Sequence, residues 1–147
     1  MFQCWGRTSS AQAICLDMIR GKWEAPELLV QARAFYAKHK AVLGQGTLRH
    51  MKVEDKASGT GLIQTLKREG IPVIAIPRSV DKVIRAHDAA PLIESGNVIL
   101  LNGLPHLSDM LAEASAFPNG AHDDTLDPMM DAVADICRGS TQTFGVL

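Results

Sequence analysis

LRHMKVEDKASGTGLIQTLKREGIPVIAI, residues 48–76, changes its hydrophobic period twice. Leu48–Glu54 alternates apolar and polar residues, the two-residue period of a strand with one buried face. Leu62, Ile63 and Leu66 then recur at helical spacing until Gly70, which predicts a helix. Ile71–Ile76 is a short apolar run, as expected of a strand covered on both faces. A helix set between two strands places this stretch in the α/β class.

The same alternation extends in both directions. Upstream, Met1–Trp5 and Ala11–Ile19 read as strands, with a turn at Arg20–Lys22. Pro26 opens a predicted helix that runs to about Lys40 with Leu28, Leu29, Ala32, Phe35 and Tyr36 on one stripe, and Gly44–Gly46 breaks that pattern. Downstream, DKVIRAHDAAPLIES reads as a helix as far as Pro91 and the turn at Gly96. Asn97–Leu101 reads as a strand and Leu107–Ala116 as a helix, and a last helix reaches Cys137. The expected architecture is one α/β domain with a mixed sheet flanked by helices, over 1–138. Residues 139–147 read as a flexible tail.

Composition excludes several classes. The 147 residues are 46% hydrophobic and 21% charged, as in ordinary globular domains. No apolar run approaches the ~20 residues a bilayer requires, and the N-terminus lacks a signal layout, so the chain is expected in the cytoplasm. Cys4, Cys15 and Cys137 form no CxxC pair, which argues for reduced thiols and against a zinc site. No G-x-x-x-x-G-K-[ST] phosphate loop is present, and Gln64 stands where a third dinucleotide-binding glycine would fall after the GTG.

Charge is unevenly distributed. Residues 1–100 carry 14 Lys/Arg against 9 Asp/Glu, whereas residues 101–147 carry only Arg138 against 7 acids. FPNGAHDDTLDPMMDAV, Phe117–Val133, holds Asp123, Asp124, Asp127 and Asp131 within nine residues. Glu54 and Asp55 end a predicted strand, where ligands gather in open α/β sheets. Carboxylates from a strand end and a helix start, without a His/Cys set, select hard ions such as Mg²⁺ or Mn²⁺. Two such ions activate a water and stabilise a leaving oxygen in phosphodiester cleavage. The plainer reading is a solvated acidic face.

VEDKASGTGLIQTLKREGIPVIAI, DKVIRAHDAAPLIESGNVILL and EASAFPNGAHDDTLDPMMDAV, in that order, resemble the C-terminal nuclease domain of phage large terminase subunits. The similarity extends from about Trp5 to Ile136. The resemblance implies a ribonuclease H-like fold and an endonuclease cutting concatemeric phage DNA with a two-ion Mg²⁺ or Mn²⁺ site. It implies double-stranded DNA, other terminase subunits and the portal as partners, in a bacterial host cytoplasm with no membrane. The family's strand-end acid falls on Glu54, with Asp55 beside it, and its acid cluster on Asp123, Asp124 and Asp127. Glu54, Asp124 and Asp127 are the expected catalytic ligands, with Asp55 and Asp123 as further metal candidates. Lys56, Lys82 and Arg85 match basic positions suited to DNA phosphates. The family's first catalytic aspartate lies on a strand preceding MFQCWGR, and an ATPase domain normally precedes the nuclease. The chain is therefore expected to lack the first strand, as a truncated gene, a prophage remnant or a misplaced start.

Other residues receive smaller roles. Asp127 is expected to cap the last helix with Pro128 at its first position, and Asp81 to cap the helix bearing Lys82 and Arg85. His122 reads as a metal neighbour, a general base or, most simply, an exposed loop histidine. Asp131 and Asp135 read as a solvated helix face, Met110, Met129 and Met130 as core, and Asp17 as a reserve ligand. Rival functions are a catalytically incomplete DNA-binding or assembly module and a resolvase-like nuclease.

Overall fold

The computed structural model of the chain describes residues 1–40, 48–77, 79–120, 124–138 and 145–146. Its elements follow the hydrophobic periods in order. They are β1 (Phe2–Arg7), β2 (Ala13–Ile19), α1 (Ala25–Lys40), β3 (Met51–Glu54), α2 (Ala57–Arg68), β4 (Val73–Ile76), α3 (Lys82–Glu94), β5 (Val98–Leu100), α4 (Leu107–Ala116), α5 (Leu126–Arg138) and β6 (Gly145–Val146). The strands form one mixed sheet in the order β4-β3-β6-β1-β2-β5. β1 and β2 are antiparallel, with a register shift at Cys4/Trp5. β3 runs parallel to β4, and β2 parallel to β5.

Alternation divides the strand side chains between two layers. Phe2, Cys4, Met51 and Val53 pack on one side with Ala32 and Phe35 of α1 and Leu62, Ile63 and Leu66 of α2. Trp5, Ala13, Cys15 and Met18 pack on the other side with α3, α4 and α5. α5 supplies most of that second layer because Leu126, Met129, Met130, Val133 and Ile136 recur at helical spacing on one face. The expected core role of Met110, Met129 and Met130 is met, since all three are buried. No helix among the described residues is long and apolar enough to cross a membrane.

Three details differ from the sequence reading. α3 continues through Pro91 to Glu94, so the proline does not end it. α5 begins at Leu126, so Asp127 lies in its first turn and does not cap it. Pro128 is tolerated there because the first four N–H groups of a helix have no intrahelical acceptor. Within the stretch read as a tail, Gly145–Val146 are inserted into the sheet as β6.

Candidate functional site

Glu54 closes β3, and the start of α2 is pressed against it. A Cβ on Gly59 would meet the Glu54 carbonyl oxygen at 2.0 Å, a distance no side chain tolerates. The first glycine of the GTG therefore serves the tight strand-to-helix turn. That turn holds the Glu54 carboxylate at the end of β3, 2.7 Å from the Lys56 ammonium and about one-third exposed, at 35%. Asp55 beside it accepts a hydrogen bond from Thr60 Oγ1 at 2.7 Å.

Asp124 is positioned by a buried network that joins four elements. Gln3 of β1 donates from Nε2 to the Thr125 carbonyl at 2.9 Å, and its own Oε1 accepts from Trp5 Nε1 at 2.9 Å. Glu113 of α4 accepts from the Thr125 backbone N–H at 2.8 Å and from its hydroxyl at 2.5 Å. Its other oxygen accepts from Arg20 Nη1 at 2.9 Å, and Arg20 Nη2 lies 3.7 Å from the Asp124 carboxylate. Burial pushes the Glu113 carboxyl upward, but the Thr125 hydrogen bonds and the Arg20 charge outweigh it and hold it below its usual range. The network fixes Thr125, so the neighbouring Asp124 is presented with its side chain 69% exposed.

Strand register sets Glu54 and Met1 toward one end of the sheet. Val146 pairs with both Gln3 and Lys52, so those two residues are level across β6. Met1 and Glu54 each lie two residues beyond those pairs, toward the same end of the sheet. Asp124 lies near Met1: burial lowers the basicity of the Met1 ammonium, and the Asp124 charge opposes that shift. Glu54 thus ends β3 with Lys56 beside it, and Asp124 precedes α5 with Arg20 beside it.

The remaining acids of the stripe are bound to bases. Asp127 lies 2.6 Å from Lys82 Nζ and forms a close ion pair with Arg85 Nη2. Burial raises its carboxyl, and the Lys82 and Arg85 hydrogen bonds overcompensate, so it titrates below its usual range. Arg85 also reaches Asp131 at 3.4 Å, and Asp135 pairs with Lys52 of β3. Asp131 and Asp135 are therefore no solvated face, because bases from α3 and β3 meet them under the sheet. Lys82 and Arg85, read from sequence as phosphate contacts, here neutralise Asp127. Asp81 does cap α3, accepting from the Val83 N–H at 2.8 Å.

Asp17, the reserve ligand, is buried and lies on the α1 side. It is 2.6 Å from Lys38 Nζ and 2.9 Å from His39 Nε2, so it has a structural role. Asp123 and His122 lie outside the described residues. Among the described residues, no three His, Cys, Asp or Glu side chains are gathered closely enough to hold an ion. Sequence reasoning missed Gln3, Arg20, Glu113 and Thr125. No local motif marks them, and only the pairing of β1 with the α4–α5 turn brings them together.

A mixed sheet covered by helices on both faces, with a carboxylate at a strand end, defines an α/β domain whose layers alone fix no activity. Residues 29–135 match the terminase RNaseH-like domain, and the chain belongs to that family. The match bears out the ribonuclease H-like fold expected from the sequence. Comparison with curated proteins and with solved structures found no match.

Proposed function

We propose that this domain is the nuclease module of a phage DNA-packaging terminase large subunit, with Glu54 and Asp124 at its centre. The observation that carries this reading is their placement at one sheet end within a terminase RNaseH-like domain. Both present exposed carboxylate oxygens, with no thiolate or imidazole donor beside them in the described residues, which suits Mg²⁺ or Mn²⁺. Asp55 and Asp123, adjacent in sequence, are the next candidates for the set. Asp127 joins it only by releasing Lys82 and Arg85.

Bound ions would supply Lewis acidity toward a phosphodiester of concatemeric double-stranded DNA. The chain's own part is to hold one carboxylate at the end of β3 and the other in the turn before α5, and to flank each with a cation. Arg20 and Lys56 are placed to meet phosphate oxygens beside the cut, a positioning role without base readout. Other terminase subunits and the portal are the partners this reading implies, and the host cytoplasm its compartment.

Thermal melts in millimolar Mn²⁺ against NaCl of matched ionic strength test the site directly. Binding only to the native state raises the melting temperature of the wild type by mass action. Glu54→Gln and Asp124→Asn are each expected to abolish the Mn²⁺-specific part of that rise and any nicking of supercoiled plasmid. Equal shifts in Mn²⁺ and NaCl, with DNA binding intact, would instead leave a DNA-binding or assembly module.

A further inference from the structure

α3 and α4 both pack on α5 and leave a groove of about 300 Å³ between them. Ala86, Ala89 and Ala90 of α3 form one wall, Ala114 of α4 stands opposite, and Met129 and Met130 of α5 form the floor. A further hollow of about 210 Å³ shares Ala86, Ala90 and Phe117 with it and carries the groove on to Val83 and His87. Val83 and Ile93, near the two ends, are 39% and 38% exposed, so large apolar side chains stand open along its length. From Val83 to Glu94 the groove follows α3 for about 16 Å, or three turns of helix. Glu94 lines its far end and has no ion-pair partner among the described residues.

We propose that this groove docks a cationic amphipathic helix of a partner protein. Bulky apolar residues of that helix fill the space between the alanine walls, and its Lys or Arg meets Glu94. Charge selects this occupant. Residues 81–138 carry three Lys/Arg against ten Asp/Glu. All three bases are already paired, Lys82 and Arg85 with Asp127 and Arg138 with Asp88 at 4.0 Å. A nucleic acid is therefore repelled from this layer and a cationic helix attracted. Shape selects a helix: small residues on the walls leave room for another helix's side chains, and the flexible methionines of the floor adapt to them. A second copy of this chain is a poorer match. Its basic helix is α1, whose Arg33 and Lys38 are bound to Glu69 and Asp17. The outer face of α1 offers one large exposed apolar residue, Val30, beside Ala34 and Ala37. Docking here does not rest on the proposed nuclease function.

The test uses the full chain and two peptides of about 18 residues, long enough to be helical in water, both with leucines at every third or fourth position. One carries lysines elsewhere and the other glutamates. The lysine peptide is expected to bind the wild type at least about tenfold more tightly than the glutamate peptide. Glu94→Lys should cut that preference at least about fivefold. Ala90→Trp, which sets a ring in the groove, should weaken lysine-peptide binding at least about tenfold. In the wild type, the methyl NMR signals of Met129 and Met130 should shift on binding, while that of Met51, in the core on the other side of the sheet, stays in place. This readout needs no variant, so it decides the case if Ala90→Trp fails to fold. Equal affinity for the two peptides, binding unchanged in both variants, or unshifted Met129 and Met130 signals overturn the proposal. A concentration-dependent dimer in light scattering that Ala90→Trp abolishes also overturns it, because it assigns the groove to a second copy. No readout involves metal or DNA, so failure here is separable from failure of the nuclease reading.

Discussion

Asp127→Asn is expected to destabilise the metal-free protein, the opposite of what loss of a pure metal ligand does. An unliganded carboxylate among other acids raises the energy of the apo state, so removing it stabilises. Asp127 instead receives Lys82 and Arg85. Charge-assisted hydrogen bonds contribute about 1.5–3 kcal/mol each when desolvated. The Asp127 and Lys82 side chains are 28% and 26% exposed, so solvent recovers part of this, and Arg85 keeps Asp131. The net loss is about 2–3 kcal/mol, or about 5–10 °C in melting temperature for a chain of this size. The pH dependence has a fixed sign. The native carboxyl titrates below its ordinary value of 3.8. Its stabilisation is therefore complete above that value and is lost as pH falls through the depressed native one. Denaturant melts in EDTA, at neutral pH and again near about pH 3, should show the variant's deficit shrinking in acid. A variant as stable as the wild type in EDTA would refute the pairing and return Asp127 to the metal set.

Glu113→Gln is expected to cost about 2–3 kcal/mol, since Arg20 and Thr125 lose a buried charged acceptor. Amide exchange at Thr125 should rise with it, and unchanged protection there would mean that Glu113 does not hold the α5 approach. Gly59→Ala should lower the melting temperature by several degrees, because a Cβ cannot coexist with the Glu54 carbonyl. A neutral result would show that α2 can slide off the strand end. Burial pushes the Cys4 and Cys15 thiols up to about 12, whereas Cys137 is only partly buried. Iodoacetamide should therefore label Cys137 first in the native chain, and uniform labelling of all three would contradict the packing.

Elements defined by period were legible in the sequence, whereas those defined by partnership were not. The alternation of Leu48–Glu54 and the stripe of Leu62, Ile63 and Leu66 specify β3 and α2 locally, because burying one face suffices. Asp81 as a cap was likewise readable, since its acceptor serves the N–H two residues on. Pro91 misled because its missing N–H costs one hydrogen bond, a loss that the packing of Ala89 and Leu92 against the core outweighs. Asp131 and Asp135 misled because their bases come from α3 and β3, far away in sequence. β6 was illegible for the same reason: two residues have no period, and their strand character exists only between β1 and β3.

The acidic stripe changes its role along α5, and the change follows from position over the sheet. Asp124 precedes the helix, where among the described residues no base closer than Arg20 covers it, and it remains mostly exposed. One turn further, Asp127 meets the start of α3, whose Lys82 and Arg85 point inward because Asp81 fixes the first turn. Asp131 shares Arg85, and Asp135 reaches over β3 to Lys52. Like charges three and four residues apart would destabilise a helix by a few tenths of a kcal/mol per pair, and these bases remove that repulsion. They also tie α5 to α3 and to the bank of the sheet that bears Glu54. Charge that looked like one metal-binding cluster is therefore divided. Asp127, Asp131 and Asp135 fix the helix in place, and Asp124, just before it, is the described acid of the stripe left mostly exposed, beside Arg20.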